Sequence, residues 1–95
     1  MAATKEGKLN GQVALITGAS SGIGLAIARS FLNEGADLVV VARRPERLQE
    51  LADEAQKSGR RCGVVVGDVR EEETALRAVQ TATQQLGQLD ILVNN

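Results

Sequence analysis

Short β-branched runs separated by longer one-sided amphipathic stretches, three times in succession, constrain this chain more than any other feature. The runs Val13–Ile16, Leu38–Ala42, Val64–Val66 and Ile91–Val93 are almost continuously apolar. That is the pattern of strands covered on both faces in a parallel sheet, whereas a half-exposed strand would alternate. Between the runs, apolar residues recur at helical spacing. Ile23, Ile27 and Phe31 mark a first stripe, Leu48, Leu51, Ala52 and Ala55 a second, and Leu76, Val79, Thr83 and Leu86 a third. Each stripe is expected to lie against the sheet.

The element ends carry their own signals. Gly35, Gly59 and Gly87 follow the three stripes, where a helix commonly stops on a residue of positive φ. Pro45 stands where the second helix begins, and its missing N–H would have no partner there. Glu71, Glu72 and Glu73 place negative charge at the start of the third helix, which suits the macrodipole. Strand and helix in alternation, joined by right-handed crossovers, predict an α/β fold: a doubly wound parallel sheet of four strands in the order 3-2-1-4 with three helices. Helices one and two are expected on one face and helix three on the other. Residues 1–8 form a polar arm of low information, and residues 9–95 carry the fold.

Composition excludes several functions. Eleven basic against twelve acidic residues leave a net charge of −1, so nucleic acid and anionic membrane surfaces are not expected partners. Neither a secretory signal nor a membrane-spanning run is present in the sequence, and a cytoplasmic location is expected. The single cysteine, Cys62, cannot close an internal disulfide or build a cysteine-rich metal site. It reads as a small buried apolar residue in a reduced compartment, and no metal is expected. The chain has no His, Tyr or Trp, which removes imidazole and phenol chemistry from its own repertoire.

Between the first strand and first helix lies Thr17-Gly18-Ala19-Ser20-Ser21-Gly22-Ile23-Gly24. Gly18 permits a tight turn off the strand, Gly22 lets backbone approach a bound anion, and Gly24 lets the helix pack closely on the sheet. Free N–H groups and the positive end of the helix dipole converge there on a phosphate site, with Ser20 and Ser21 able to add hydroxyl donors. The spacing is Gly-x-x-x-Gly-x-Gly. No Gly-Lys-[Ser/Thr] follows, so a triphosphatase loop is not indicated. A glycine turn with no ligand is the competing reading, and the position between a buried strand and an amphipathic helix weighs against it.

The same residues carry a resemblance. Thr17–Gly24 is similar to the Thr-Gly-x-x-x-Gly-Ile-Gly motif of the short-chain dehydrogenase/reductase family, Asp68 after strand three to its adenine-contacting acid, and Asn94-Asn95 to the start of its Asn-Asn-Ala-Gly motif. The likeness spans residues 9–95, nearly the whole chain, and corresponds to the opening part of a typical family member. It implies the N-terminal part of a Rossmann-type domain. By the resemblance, Gly18, Ser20, Ser21, Gly22, Ile23 and Gly24 would hold a pyrophosphate, Asp68 and the Val69 backbone the adenine, and Asn94 would steady the sheet and line the cleft. Asp68 capping the third helix and Asn94 closing a turn are the plainer alternatives.

Where enzymes of this fold that prefer NAD usually carry an acid at the end of strand two, this sequence has Ala42, followed by Arg43 and Arg44. Two guanidinium groups suit a 2′-phosphate, whose charge an acid at position 42 would repel. NADP(H) is therefore the expected cofactor. Some NADP-using relatives carry a basic residue before the second motif glycine, and here that residue is Ser21. The family transfers hydride between nicotinamide and a carbonyl/alcohol pair with a Ser, a Tyr and a Lys in a Tyr-x-x-x-Lys motif. This sequence has no Tyr, and its lysines, Lys5, Lys8 and Lys57, fall in the arm or late in the second helix.

No catalytic set is thus expected in the chain, and a small carbonyl or alcohol substrate is expected only for a full-length form. The family pattern continues with Ala-Gly where this sequence stops, so a fragment of an NADP-dependent oxidoreductase is the leading expectation. A catalytically inactive nucleotide-binding or interaction module that pairs with full-length relatives is the alternative. Strand four would leave an apolar edge, which predicts poor solubility and leaves homo-oligomer formation open.

Overall fold

A computed structural model of the chain describes residues 7–20 and 22–95. Strand β1 (Val13–Thr17) is followed by helix α1 (Gly22–Asn33), β2 (Asp37–Ala42), α2 (Pro45–Lys57), β3 (Cys62–Val66), α3 (Glu72–Gln80) and β4 (Ile91–Val93). Helix α3 widens at its end into a π-helical turn over Thr81–Gln85. All pairings are parallel and the sheet order is β3-β2-β1-β4, the order expected from the alternation. The central strands explain their own composition. Every residue of β1 is buried, and so are the last five of β2, which requires apolar side chains on both faces.

Successive side chains of a strand point to opposite faces, and the core divides accordingly. Ala14, Ile16, Leu38 and Val40 meet Leu25, Ala28 and Leu32 of α1 and Leu48, Leu51 and Ala55 of α2. On the other face Val13, Leu15, Val39, Val41 and Val65 meet Ala78, Ala82 and Leu86. The crossover rule thus holds: α1 and α2 share one face, and α3 covers the other. Gly35, Gly59 and Gly87 take φ values of 93°, 74° and 88° at the expected stops.

Two helices differ from the sequence reading in rotation. In α1 the buried residues are Gly24, Leu25, Ala28 and Leu32, while Ile23 is 72% exposed and Ile27 and Phe31 sit on the flank, partly buried. In α3 and its extension the inward residues are Thr74, Ala78, Ala82 and Leu86, and Leu76 and Val79 face outward. The cause is close approach. A Cβ on Gly63 would lie 2.7 Å from Thr81 Cγ2, and one on Gly67 would lie 2.7 Å from Thr74 Oγ1. A helix this near the sheet must present small residues, and the leucine and valine are turned aside.

Of the expected N-terminal arm, residues 1–6 lie outside the described residues. Lys8 donates its amide to the Glu34 carboxylate and Leu9 to the Glu34 carbonyl, which fastens the approach to β1 against the end of α1. Among the described residues no helix is long and apolar enough to cross a membrane.

Candidate functional site

The C-terminal ends of the four strands face one region, and the turn after β1 forms its floor. Gly18, at φ 65°, turns the chain off the strand, and its amide donates to the Val41 carbonyl at 2.9 Å, with the Ala19 amide reaching the same oxygen at 3.4 Å. These two bonds tie the start of the loop to β2. Farther along, the amides of Ser20, Gly22 and Ile23 donate to no acceptor among the described residues, as the first N–H groups of a helix must unless something external accepts from them. Ser21 lies outside the described residues.

The glycines divide the work by position. A Cβ on Gly24 would intrude on the Gly18 carbonyl, so α1 starts this close to β1 only because residue 24 is glycine, while a Cβ on Gly18 would lie 2.9 Å from Asn95 Nδ2. Gly22, at φ 57°, has nothing within 4 Å of where a Cβ would sit. Packing does not require it, and its open side borders the unpaired amides. A multiply charged phosphate group would satisfy those donors, which makes the loop a fit for a dinucleotide's diphosphate.

The end of β4 is fastened to the same loop. Thr17 Oγ1 accepts the Asn95 amide at 3.0 Å, and its hydroxyl lies within donating distance of Asn94 Oδ1, at 3.2 Å, and of the Val93 carbonyl, at 3.4 Å. Asn95 Nδ2 donates to the Gly18 carbonyl at 3.3 Å.

An open cavity of about 1210 Å³ lies above these turns. Gly18 and Ser20 line it from the loop, Ala42, Arg43 and Arg44 from the end of β2, and Gly67, Asp68 and Val69 from the segment after β3. Among the lining residues given no binding role from the sequence are Glu46 and Arg47 in the first turn of α2, Gly67, Arg70, and Asn95, which entered only as part of the Asn94-Asn95 motif. Asn94 lies elsewhere, on a smaller, largely apolar hollow of about 240 Å³ with Leu15, Val79 and Leu92. Helical spacing from Pro45 could have found Arg47. The order of Asn94 and Asn95 needed the phase of β4.

Asp68 is held by its neighbour. Its Oδ1 accepts from the Arg70 amide at 2.9 Å and from Nε at 3.1 Å, and its Oδ2 accepts from an Arg70 terminal nitrogen at 2.7 Å. The guanidinium bonds, followed by the backbone bond, bring the carboxyl down to about 2 from its usual 3.8. Arg70 is 80% exposed, so the contact is bathed in water and yields readily to a competing donor. Cys62 sits at the opposite end of the sheet, where burial pushes its thiol up to about 12, as for an inert structural thiol. Among the described residues no group of three or more His, Cys, Asp or Glu side chains could hold a metal.

Comparison with known proteins places these features in a common setting. The family model for short chain dehydrogenase matches residues 12–95. A curated A-factor type gamma-butyrolactone 1'-reductase (1S-forming) from Streptomyces virginiae is 49% identical over 90 residues, 95% of this chain and 35% of that protein. The crystal structure of L-sorbose reductase from Gluconobacter frateurii, complexed with NADPH and L-sorbose, superposes with a TM-score of 0.84 at 48% identity, covering 92% of this chain and 34% of that one. Carveol dehydrogenase from Mycobacterium avium, in complex with NAD, gives a TM-score of 0.87 at 36% identity, with coverage of 94% and 36%. The chain spans about a third of the length of the curated relatives it matches.

Proposed function

Since this chain belongs to the short-chain dehydrogenase family, we propose that it is the NADP(H)-binding portion of an oxidoreductase that interconverts a carbonyl and an alcohol by hydride transfer. The observation that carries this reading is the convergence of Gly18 and Ser20 of the glycine loop with Arg43, Arg44, Asp68 and Val69 on one cavity at the strand ends, where open α/β sheets take their ligands. Gly22, Ile23 and Gly24 do not line it. When bound, the nicotinamide cofactor supplies or accepts the hydride. The chain's own residues bind and orient it.

In this reading the free amides of Ser20, Gly22 and Ile23 hold the diphosphate, with the Ser20 and Ser21 hydroxyls beside them. Gly18 and Gly24 keep the turn close to the sheet. The adenine amino group takes the place of the Arg70 guanidinium on Asp68, and the Val69 backbone borders the ring. Asn94 and Asn95 brace the loop through Thr17 and Gly18. Ala42 leaves no carboxylate at the end of β2, and Arg43 and Arg44 are given to the 2′-phosphate. Support for NADPH comes from the arginines and from the L-sorbose reductase complex. Carveol dehydrogenase, of the same fold, is in complex with NAD, so the preference has to come from side chains at the end of β2 and not from the fold.

The test is the affinity ratio for NADPH over NADH, measured by calorimetric titration. One good charge-assisted contact implies a preference of roughly ten- to a hundredfold, and Arg43→Ala with Arg44→Ala should bring the ratio close to one. An unchanged ratio in that double variant overturns the assignment.

A second reading draws on a different observation. Leu92 of the edge strand is 62% exposed, with Leu76 and Val79 exposed on the same side of the sheet. An apolar edge of this kind suits a non-catalytic module that pairs with a longer relative.

A further inference from the structure

The chain has eight arginines, and they sort into two groups by what they touch. Arg29, Arg61 and Arg70 are in ion pairs with Glu54, Asp37 and Asp68. Arg60 bonds Asn10, and Arg77 bonds the Val66 carbonyl. Arg43, Arg44 and Arg47 alone have no side-chain partner among the described residues, and all three line the same cavity. Of its other charged residues, Asp68 and Arg70 neutralise each other, so three guanidiniums face one carboxylate, that of Glu46. The balance of about two positive charges matches a phosphate monoester, which carries roughly −1.5 to −2 at neutral pH.

The first turn of α2 adds to this. Arg44 is the N-cap of the helix and makes no capping bond with its side chain. A guanidinium has only donors, so it cannot accept from the amides of Glu46 and Arg47 as Ser or Asp would at that position. The turn therefore presents donors from backbone and side chains alike. Arg47, one turn along from Arg43 and Arg44, closes the group from the helix side.

We infer that Arg47 is a third specificity-determining residue, which grips the 2′-phosphate together with Arg43 and Arg44 and distinguishes phosphorylated from unphosphorylated adenosine ribose. This inference rests on the reading of the cavity as an NADP(H) site. The experiment titrates the full chain with adenosine 2′,5′-bisphosphate and with 5′-AMP, comparing wild type, Arg47→Ala, Arg47→Lys and the Arg43→Ala/Arg44→Ala double variant. Wild type should prefer the bisphosphate, Arg47→Ala should reduce that preference about tenfold with little change for 5′-AMP, and Arg47→Lys should fall between them because it keeps the charge without the fork.

The outcomes separate the two claims. If the double variant loses the preference while Arg47→Ala keeps it, the inference about Arg47 is overturned and the cofactor assignment stands. If wild type shows no preference, the cofactor assignment itself is overturned, and the inference with it. Arg47 is exposed, so its variants should unfold at the wild-type urea concentration. Arg47→Gln provides a second uncharged variant in which the tenfold loss must recur.

Discussion

Replacing Gly24 by alanine sets two effects of opposite sign against each other, and their sizes decide the outcome. Gly24 lies inside α1, where alanine is favoured over glycine by about 1 kcal/mol. From propensity alone, Gly24→Ala should stabilise the protein. The added methyl, however, would enter the space of the Gly18 carbonyl and lie 2.8 Å from Asn95 Nδ2. Asn95 can rotate away. Gly18 has less freedom, because its amide is bonded to Val41 and it continues directly from the fully buried strand β1.

Overpacking of this kind costs typically 1–3 kcal/mol, and the upper end applies where backbone meets backbone. A cost of about 3 kcal/mol less a gain of about 1 leaves a net loss of about 2 kcal/mol. For a domain of this size that lowers Tm by roughly 8–16 °C. Far-ultraviolet circular dichroism during urea and thermal unfolding is the suitable assay, since the chain has neither Trp nor Tyr. Ser30→Ala, on the exposed side of the same helix, serves as the control and should gain up to about 0.5 kcal/mol. If Gly24→Ala unfolds at the same or higher urea than wild type, the close approach of α1 to β1 has been misjudged, and with it the shape of the loop.

Two further outcomes follow from the same structure. The Asp68 carboxyl is lowered to about 2 in the folded chain against 3.8 without its partner, so the unfolded state takes up the proton first as the pH falls; the stabilisation is complete above about 4 and lost toward 2. The gap in urea midpoint between wild type and Asp68→Asn should therefore close across that window, and parallel curves would count against the Arg70 contact. Leu92→Lys, at an exposed position of the edge strand, should leave the unfolding midpoint nearly unchanged while reducing self-association in sedimentation velocity. An unaltered sedimentation profile in a wild type that associates would mean that some other surface drives it.

The central strands β1 and β2 were legible because burial on both faces leaves no choice of residue. The outer strands β3 and β4 are apolar too, yet they are only partly covered, with Val66 and Leu92 exposed, so the expectation of burial on both faces does not hold for them. The run Leu38, Val39, Val40 and Val41 admits no polar position, and all four are fully buried. Helix existence was equally plain, and helix rotation was not. The amphipathic reading turns the largest apolar residues inward, yet α3 lies so near Gly63 and Gly67 that Thr74, Ala78 and Ala82 must face the sheet. Separation between layers is a tertiary quantity, and one segment's periodicity does not contain it.

The same distinction governs the end of β4. Ile91 and Val93 pack toward the α1 and α2 face, while Leu92 borders the hollow on the other side. Continuing the alternation carries Asn95 to the cavity, beside Gly18, and Asn94 to the hollow, although three apolar residues in a row give no phase by which to choose between them. Phase came from pairing: Ile16 of β1 stands opposite Val93, and Ile16 belongs to the α1 and α2 core. Two steps beyond each of these residues along its own strand direction lie Gly18 and Asn95, so the parallel register that builds the sheet also brings the asparagine amide to the glycine carbonyl.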